Sequence, residues 1–300
     1  MVNIIKTATA IGINAYEVSV ETDVVNSLPA MSIVGLPDAS INEARDRVRS
    51  AIKNSGYSFP SKKVVVNLAP ADLKKIGTSF DLPIAIGILT EEEVLDSEKL
   101  KDYAFIGELS LDGTIRAVAG VLPLVLGLKE VGIKNVIVPK ENAKEAALNG
   151  GVNVYGATHL TDVVNHFTET KITPTVVDVS AYLNSQTNQN YPFDFKDVKG
   201  QHKAKKALEI AAAGGHNLLM IGSPGSGKTL MAKCFASILP PLELSEALEL
   251  TKIYSICGLL PTDEPLMVKR PYRSVHHTAS ANGIIGGGSS PKPGEITLAN

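Results

Sequence analysis

The sequence has 300 residues, of which 44% are hydrophobic and 20% charged, and its formal net charge at pH 7 is −2. This length allows about two domains, and the hydrophobic content is sufficient for real cores. Because the charges nearly balance, the overall composition does not mark a nucleic-acid-binding or membrane-binding protein, and any DNA contact must come from local patches.

The two cysteines, Cys234 and Cys257, lie in unrelated sequence contexts. They suggest a reducing compartment and do not form a metal-binding set. The N-terminus has no basic segment followed by an apolar core, so no signal peptide is expected. No apolar run approaches the roughly 20 residues needed to cross a bilayer. We therefore expect a soluble cytoplasmic protein.

Residues 1–167 alternate between predicted strands and helices and contain no internal repeat. Apolar and β-branched runs predict strands over residues 11–20, 31–34, 63–68, 103–109, 135–138 and 152–155. A turn at Asp112-Gly113 joins the fourth of these to a return strand. Apolar periodicity predicts helices over residues 38–54, 82–89, 121–131, 144–149 and 160–167. The pattern is that of an α/β chain.

The helix predicted over residues 38–54 has two distinct faces. Asp38 or Ser40 caps its start, and Gly56 lies just past its end. The face predicted to be buried consists of Ile41, Ala44, Val48, Ala51 and Ile52. The basic face consists of Arg45, Arg49 and Lys53. This face is compatible with nucleic-acid contact, but a solvated surface is the favoured interpretation.

Residues 67–88 resemble the Lon protease domain, whose fold is similar to the second domain of ribosomal protein S5. Lon enzymes carry their nucleophile in Gly-Pro-Ser-Ala-Gly, and the matching stretch here is Gly77-Thr78-Ser79-Phe80-Asp81, with Ser79 at the nucleophile position. Residues 106–113 resemble the Lon hairpin, and residues 133–142 resemble its following strand and turn. The resemblance implies a Lon-like α+β domain over residues 1–167.

The general base of Lon enzymes lies in Gly-Gly-x-Lys, whereas this chain has Ala119-Gly120-Val121-Leu122. Leucine cannot accept a proton, and a serine without a neighbouring base is a weak nucleophile. We therefore expect that peptidase activity is lost, while Lys74 and Lys129 remain open as alternative bases. The domain is then an assembly or substrate-docking platform, and Ser79 is an ordinary turn or cap residue.

Residues 168–190 are polar and non-periodic, which predicts an interdomain linker, and the second domain occupies residues 191–300. Asp197-Val198-Lys199-Gly200-Gln201 opens this domain before a segment with helical periodicity. Taken alone, this is an amphipathic helix after a turn. Its spacing to Gly222 resembles the opening of AAA+ ATPases, which implies that Val198, Gly200 and Gln201 line an adenine pocket.

Residues 222–229 read Gly-Ser-Pro-Gly-Ser-Gly-Lys-Thr and fit the phosphate-loop pattern. Residues 217–221 predict a buried strand before the loop, and residues 230–239 predict a helix that ends at Pro240-Pro241. The alternative, a glycine turn with a chance lysine, does not account for these flanking elements. The predicted ATP-binding residues are Gly222, Ser223, Pro224, Gly225, Ser226, Gly227, Lys228 and Thr229.

The loop residues have separate predicted roles. The amides of Gly225, Ser226 and Gly227 are expected to point towards a phosphate, and the following helix adds its partial positive charge. Lys228 is expected to reach the β- and γ-phosphates of ATP, and the Thr229 hydroxyl to ligate Mg²⁺.

Four short segments follow in an order that carries a further resemblance. They are Arg270-Pro271-Tyr272-Arg273, His276-His277-Thr278, Gly286-Gly287-Gly288 and Pro291-Lys292-Pro293-Gly294-Glu295-Ile296. The order resembles that of magnesium-chelatase-like AAA+ proteins of the ComM/YifB family, and the resemblance covers nearly the whole chain. It implies a Walker B acid, sensor residues, an arginine finger and a helical lid further on. The sequence ends at Asn300 before them, so we expect a fragment that binds ATP but hydrolyses it little.

Two features of this region invite other interpretations. His276 and His277 suggest a metal, but adjacent histidines chelate one ion poorly and no cysteine or carboxylate stands at ligand spacing, so a loop or interface role is favoured. Residues 286–288 predict a flexible loop, in a region where the family resemblance places pore elements. A DNA contact by Lys292 is the weaker alternative.

The resemblance implies a homo-hexameric ring ATPase that promotes DNA branch migration during recombination or DNA uptake, with ATP and Mg²⁺ as cofactors. A second hypothesis is an ATP-dependent protease of Lon type, which Leu122 disfavours. A third is a chelatase-like subunit that inserts metal into a macrocycle, for which no residue here provides evidence.

Overall fold

The computed structural model describes residues 3–184, 191–261, 263–288 and 291–299. The chain divides into two compact units. The first comprises Met1–Val177 together with Thr251–Pro265, and the second comprises Asp178–Leu250 together with Leu266–Asn300. Part of the predicted linker, residues 185–190, lies outside the described residues. The sequence prediction placed residues 251–265 in the second domain, whereas their contacts assign them to the first unit.

The first unit is built on a mixed seven-stranded sheet, which confirms the α/β prediction. Its strands in sheet order are β3 (Ala30–Val34), β4 (Lys63–Ala69), β2 (Asn14–Val25), β1 (Asn3–Ile11), β5 (Tyr103–Phe105), β8 (Asn135–Pro139) and β9 (Asn153–Ala157). The pairs β1–β2 and β2–β4 are antiparallel, and the remaining neighbours are parallel. A separate hairpin pairs β6 (Glu108–Leu109) with β7 (Ile115–Arg116).

Helices cover both faces of this sheet and divide its core into two clusters. On one face lie α1 (Ala39–Asn54), α2 (Asp81–Glu91) and α6 (Leu160–Thr168). On the other lie α4 (Val121–Glu130) and α5 (Ala143–Ala146). The short α3 (Ser97–Leu100) follows α2. Since α2 is buried along almost its whole length, it forms the centre of the first cluster and fixes the position of Ser79 just before it.

The predicted helix after Asp38 is confirmed in detail. The Asp38 carboxylate accepts a hydrogen bond from the Ile41 amide at 2.9 Å, as an N-cap does. The apolar face is buried as predicted, at Ile41, Ala44, Val48, Ala51 and Ile52. Asp38 also accepts a hydrogen bond from the Gly77 amide at 3.1 Å, which ties the start of α1 to the turn that carries Ser79.

Two strand predictions in this unit are wrong in extent. The strand predicted over residues 11–20 begins too early: Gly12 adopts a φ of 62° in the turn between β1 and β2, and residues 14–20 lie in β2. β1 itself was missed, since its buried Thr7 and Thr9 hide the apolar alternation. The strand predicted over residues 103–109 breaks at Gly107, where a Cβ would lie 2.9 Å from the Ile115 side chain.

The second unit is mainly helical in its described part. Its helices are α7 (Val179–Asn184), α8 (His202–Gly214), α9 (Lys228–Phe235), α11 (Ala281–Ile285) and α12 (Glu295–Leu298). α10 (Leu244–Ile256), which was not predicted, begins in this unit and ends in the first. The pair β10 (Gly286–Gly287) and β11 (Lys292–Pro293) forms a small ladder where a flexible loop was predicted. Within the described ranges, no helix combines the length and apolar character needed to cross a membrane.

Candidate functional site

The predicted phosphate loop leads into α9 through two glycines in the left-handed region. Gly225 has a φ of 78° and Gly227 a φ of 88°, and nothing lies within 4 Å of a Cβ added at either position. Residues with a side chain rarely adopt a backbone with such positive φ values, so both positions favour glycine. Gly227 is the N-cap of α9, whose first amides therefore face the loop.

Lys228 folds back over the loop. Its ammonium donates hydrogen bonds to the carbonyls of Gly222 at 2.9 Å and Ser223 at 2.8 Å, and to the Ser226 hydroxyl at 3.2 Å. These acceptors are neutral, so phosphate oxygens placed at the loop would compete for the ammonium with stronger, charge-assisted bonds. Thr229 is exposed at the start of α9, where its hydroxyl is accessible to a metal ion held by a phosphate.

One detail of the predicted cradle differs from expectation. The Ser226 amide, expected to point towards the phosphate with those of Gly225 and Gly227, donates instead to the Ser223 carbonyl at 3.3 Å. This hydrogen bond is long, so the Ser223 carbonyl competes only weakly with an anion for the Ser226 amide. Phosphate binding requires that this amide turn away from Ser223.

The residues predicted to line an adenine pocket lie close to the loop but have different surroundings. Val198 is buried in a small apolar cluster with Leu208 of α8 and Cys234 of α9. Gly200 and Gln201 are exposed, with φ values of 65° and 51°. The Gln201 side-chain amide donates to the Ser226 carbonyl at 3.4 Å. Gln201 therefore contacts the phosphate loop itself.

The strand predicted over residues 217–221 is absent. These residues have no regular secondary structure, and Leu219 and Ile221 are 85% and 88% exposed. A strand of a parallel sheet is defined by neighbours on its edges and by burial on its faces. The described part of the second unit provides no strand beside this segment, so Leu219 and Ile221 remain uncovered.

At the Lon-like position, Ser79 is nearly buried just before α2, and its carbonyl accepts a hydrogen bond from the Gly107 amide at 3.0 Å. Asp81, which replaces a small residue of the Lon pattern, is fully buried and forms a bidentate pair with Arg47 of α1 at 2.7 and 3.0 Å. Its carboxylate also accepts from the Leu109 amide at 3.2 Å. The turn that carries a nucleophile in Lon enzymes thus contains a structural ion pair here.

Burial raises the pKa of Asp81 above its usual range, against the lowering effect of the Arg47 hydrogen bonds. The Asp81 hydrogen bond in turn raises the pKa of Arg47. Both raised pKa values follow from the same geometry. The Asp81 carboxylate lies in an apolar environment, and the Arg47 guanidinium offsets the cost of burying its charge.

Leu122, at the position of the Lon base, lies in the first turn of α4 and is fully buried. Its amide donates to the Glu145 carboxylate at 2.9 Å. Of the two alternative bases, Lys74 is exposed, and the Lys129 ammonium donates to the Asn149 carbonyl at 3.4 Å. In the described residues, no side chain forms a hydrogen bond with the Ser79 hydroxyl.

Several buried polar groups have no sequence signal that predicts them. Lys75 is fully buried, its ammonium donates to the Pro70 carbonyl, and burial lowers its pKa. Glu145 is also buried, and its hydrogen-bond partner Ser255 is 110 residues away in sequence. Such pairs depend on tertiary proximity, which local spacing does not encode.

The remaining predicted residues lie on the surface. His276 and His277 are exposed with ring centroids 4.2 Å apart, and no cluster of metal-ligating side chains occurs among the residues that the structure describes. On α1, the guanidinium of Arg49 lies over the Phe59 ring at 5.6 Å, while Arg45 and Lys53 are exposed. These contacts fit a solvated basic face.

Comparison with known proteins identifies the family. The family model for subunit ChlI of Mg-chelatase matches residues 20–142, and a second model, for magnesium chelatase subunit ChlI, matches residues 194–300. Together they cover more than half of the chain. The chain belongs to the magnesium-chelatase-like AAA+ family that contains YifB and ComM.

Individual relatives match along almost the whole chain. The uncharacterized protein YifB of Salmonella typhimurium is 44% identical over 300 residues, which are 99% of this chain and 57% of that protein. The competence protein ComM of Haemophilus influenzae is 41% identical over 298 residues, with 99% and 58% covered. The chain therefore spans somewhat more than half the length of these relatives.

A Lon protease of Leptospira interrogans is 26% identical over 113 residues, which are 37% of this chain and 13% of that protein. This similarity covers far less of the chain than the family relatives do. It agrees with the resemblance of part of this chain to Lon proteases.

Proposed function

We propose that this chain carries the ATP-binding part of a AAA+ motor protein that uses ATP to remodel DNA. The observation that carries the proposal is the phosphate loop, with left-handed Gly225 and Gly227 leading into α9 and the Lys228 ammonium poised over the loop. In this proposal, bound ATP supplies the phosphoanhydride whose hydrolysis drives the motor.

The residues of the chain have defined tasks in this proposal. Lys228 exchanges the Gly222 and Ser223 carbonyls for the β- and γ-phosphate oxygens, and the α9 N-terminus stabilises their negative charge. Thr229 offers its hydroxyl to Mg²⁺. Gln201 holds the Ser226 carbonyl and so limits the conformations of the loop. Val198 and Gly200, which precede α8, are proposed to border the adenine base of ATP.

The assembly and the substrate are proposed from relatives. One relative is a competence protein, a name that connects it with DNA uptake. We propose a homo-hexameric ring in which ATP turnover promotes branch migration of DNA during recombination or transformation. We also propose a cytoplasmic location, because such DNA substrates occur there.

The Lon-like unit is proposed to serve as a platform and not as a peptidase. Leucine at position 122 cannot act as a base, the Lys129 ammonium donates to the Asn149 carbonyl, and Asp81 pairs with Arg47. A serine hydroxyl at neutral pH needs a base within hydrogen-bond reach.

A combined assay tests the motor proposal on the protein at the full length encoded by its gene. We expect ATP hydrolysis that single-stranded or branched DNA stimulates and that Lys228→Ala abolishes. We expect no cleavage of casein above background, and the same background in Ser79→Ala. DNA-independent ATPase activity would contradict the DNA part of the proposal. Casein cleavage that disappears in Ser79→Ala would support an ATP-dependent protease instead.

A further inference from the structure

The first turn of α4 contacts a segment that follows it by more than 100 residues. The Gly120 amide, at the N-cap of α4, donates to the Ser255 carbonyl at 2.9 Å. The Ser255 hydroxyl donates to the Glu145 carboxylate, which also accepts from the Leu122 amide at 2.9 Å. Ser255 thus makes a two-point contact, with its carbonyl as acceptor and its hydroxyl as donor.

Residues close to Glu145 in sequence and in space hold its carboxylate in this position. The Asn142 side-chain amide donates to Glu145 at 3.2 Å, and Asn142 is held by the Val118 amide at 3.0 Å and the Val118 carbonyl at 3.1 Å. Glu145 and Asn142 are 7% and 9% exposed, and the Asn142 contacts hold the carboxylate independently of Ser255. A buried carboxylate that receives three donors at a helix N-terminus is electrostatically satisfied.

Ser255 lies in the last turn of α10, and the end of this helix has a defined capping motif. Gly258 has a φ of 66°, its amide donates to the Ser255 carbonyl at 3.0 Å, and the Leu259 amide donates to the Tyr254 carbonyl at 2.9 Å. This is a Schellman motif at the end of α10. The negative C-terminal end of α10 therefore meets the positive N-terminal end of α4, an arrangement that favours their contact.

We propose that the start of α4, with Glu145, is a docking site for residues 251–259 of the same chain, built at the position where the resemblance to Lon proteases places the general base. The occupant contacts the site through Ser255, which lies three positions before Gly258 and offers both its hydroxyl and its carbonyl. It gives the Lon-like unit a defined task, the retention of a segment that lies downstream of the phosphate loop.

Hydrogen exchange on the intact chain tests the docking site, with Ser255→Ala as the probe. Loss of the hydroxyl removes a hydrogen bond to a charged group, so we expect about tenfold faster exchange at the amides of Gly120 and Leu122 and of residues 253–259. Exchange in β1 to β4 stays unchanged. Ser245→Ala, at an exposed position of the same helix, is the matched control and leaves every rate at the wild-type value.

Two further variants make the result specific. Ser255→Thr keeps the hydroxyl and restores slow exchange. The double variant Glu145→Ala/Ser255→Ala exchanges no faster than Glu145→Ala alone, because each substitution removes the same Ser255–Glu145 hydrogen bond. If Ser255→Ala exchanges like Ser245→Ala, or if its effect adds fully to that of Glu145→Ala, the docking site does not exist as proposed. Protection that rises with protein concentration would assign the segment to a second copy and overturn the proposal as well.

Discussion

Asp81 carries a carboxylate into the core of the first unit, where the Arg47 guanidinium and the Leu109 amide meet it. The cost of burying this charge is offset only while the guanidinium is present, because an unpaired charge in an apolar environment is strongly unfavourable. Arg47 therefore holds α1 against the start of α2, and the ion pair occupies the turn that a Lon nucleophile would need for catalysis.

Arg47→Ala is expected to lower the free energy of unfolding by about 3 kcal/mol, since it leaves Asp81 buried without its partner. Urea unfolding followed by circular dichroism measures this change. Arg45→Ala, two residues away on the exposed face, is the matched control and changes the free energy by less than about 0.5 kcal/mol. Arg47→Met together with Asp81→Leu removes both charges and should recover most of the loss. A loss in the double variant equal to that in Arg47→Ala would rule out this explanation.

At the scale of elements, α6 ends in an aromatic cluster that contains a buried histidine. His166 accepts a hydrogen bond from the Ile172 amide at its Nδ1 atom, at 3.0 Å, and its Nε2 atom lies 3.2 Å from the Tyr103 hydroxyl. Burial lowers the pKa of His166 below its usual 6.5, and the nearby Lys171 charge lowers it further. Burial also raises the pKa of Tyr103 to about 12, so the tyrosine stays neutral over the pH range in which His166 titrates.

A lowered pKa in the folded state makes this part of the fold sensitive to acid. The unfolded chain binds the His166 proton more readily, so the stabilising contribution is present above pH 6.5 and is lost as the pH falls below that value. We expect the unfolding free energy of the wild type to fall more steeply between pH 6.5 and 5 than that of His166→Phe. His277→Gln, at an exposed histidine, should keep the wild-type slope. Equal slopes for wild type and His166→Phe would contradict the assignment.

The elements also show which kinds of structure the sequence predicts. The cap and the buried face of α1 were both predicted correctly, because they depend on the spacing of residues close together in sequence. The strand expected over residues 217–221 is absent, since a strand needs a neighbouring strand that local sequence does not specify. The Asp81–Arg47 and Glu145–Ser255 pairs join residues distant in sequence, so local periodicity does not predict them. The phosphate loop was predicted because its residues are contiguous.

At the scale of the whole molecule, the two compact units differ in architecture. The first has a complete sheet with helices on both faces and a Lon-like turn that lacks a base. The second carries the phosphate loop and α9. The proposed motor function depends on the second unit's ability to bind a nucleoside triphosphate, because ATP is the energy source of that proposal.

Calorimetric titration of this chain with a non-hydrolysable ATP analogue and Mg²⁺ tests that dependence most directly. We expect saturable binding that Lys228→Ala weakens by about ten- to a hundredfold, the equivalent of about 1.5–3 kcal/mol for a charge-assisted contact. Lys206→Ala, an exposed lysine of α8 whose partner is Glu209, should bind like the wild type. Absence of binding to the wild type, or equal affinity in the wild type and Lys228→Ala, would contradict the assignment of residues 222–229 as the nucleotide site.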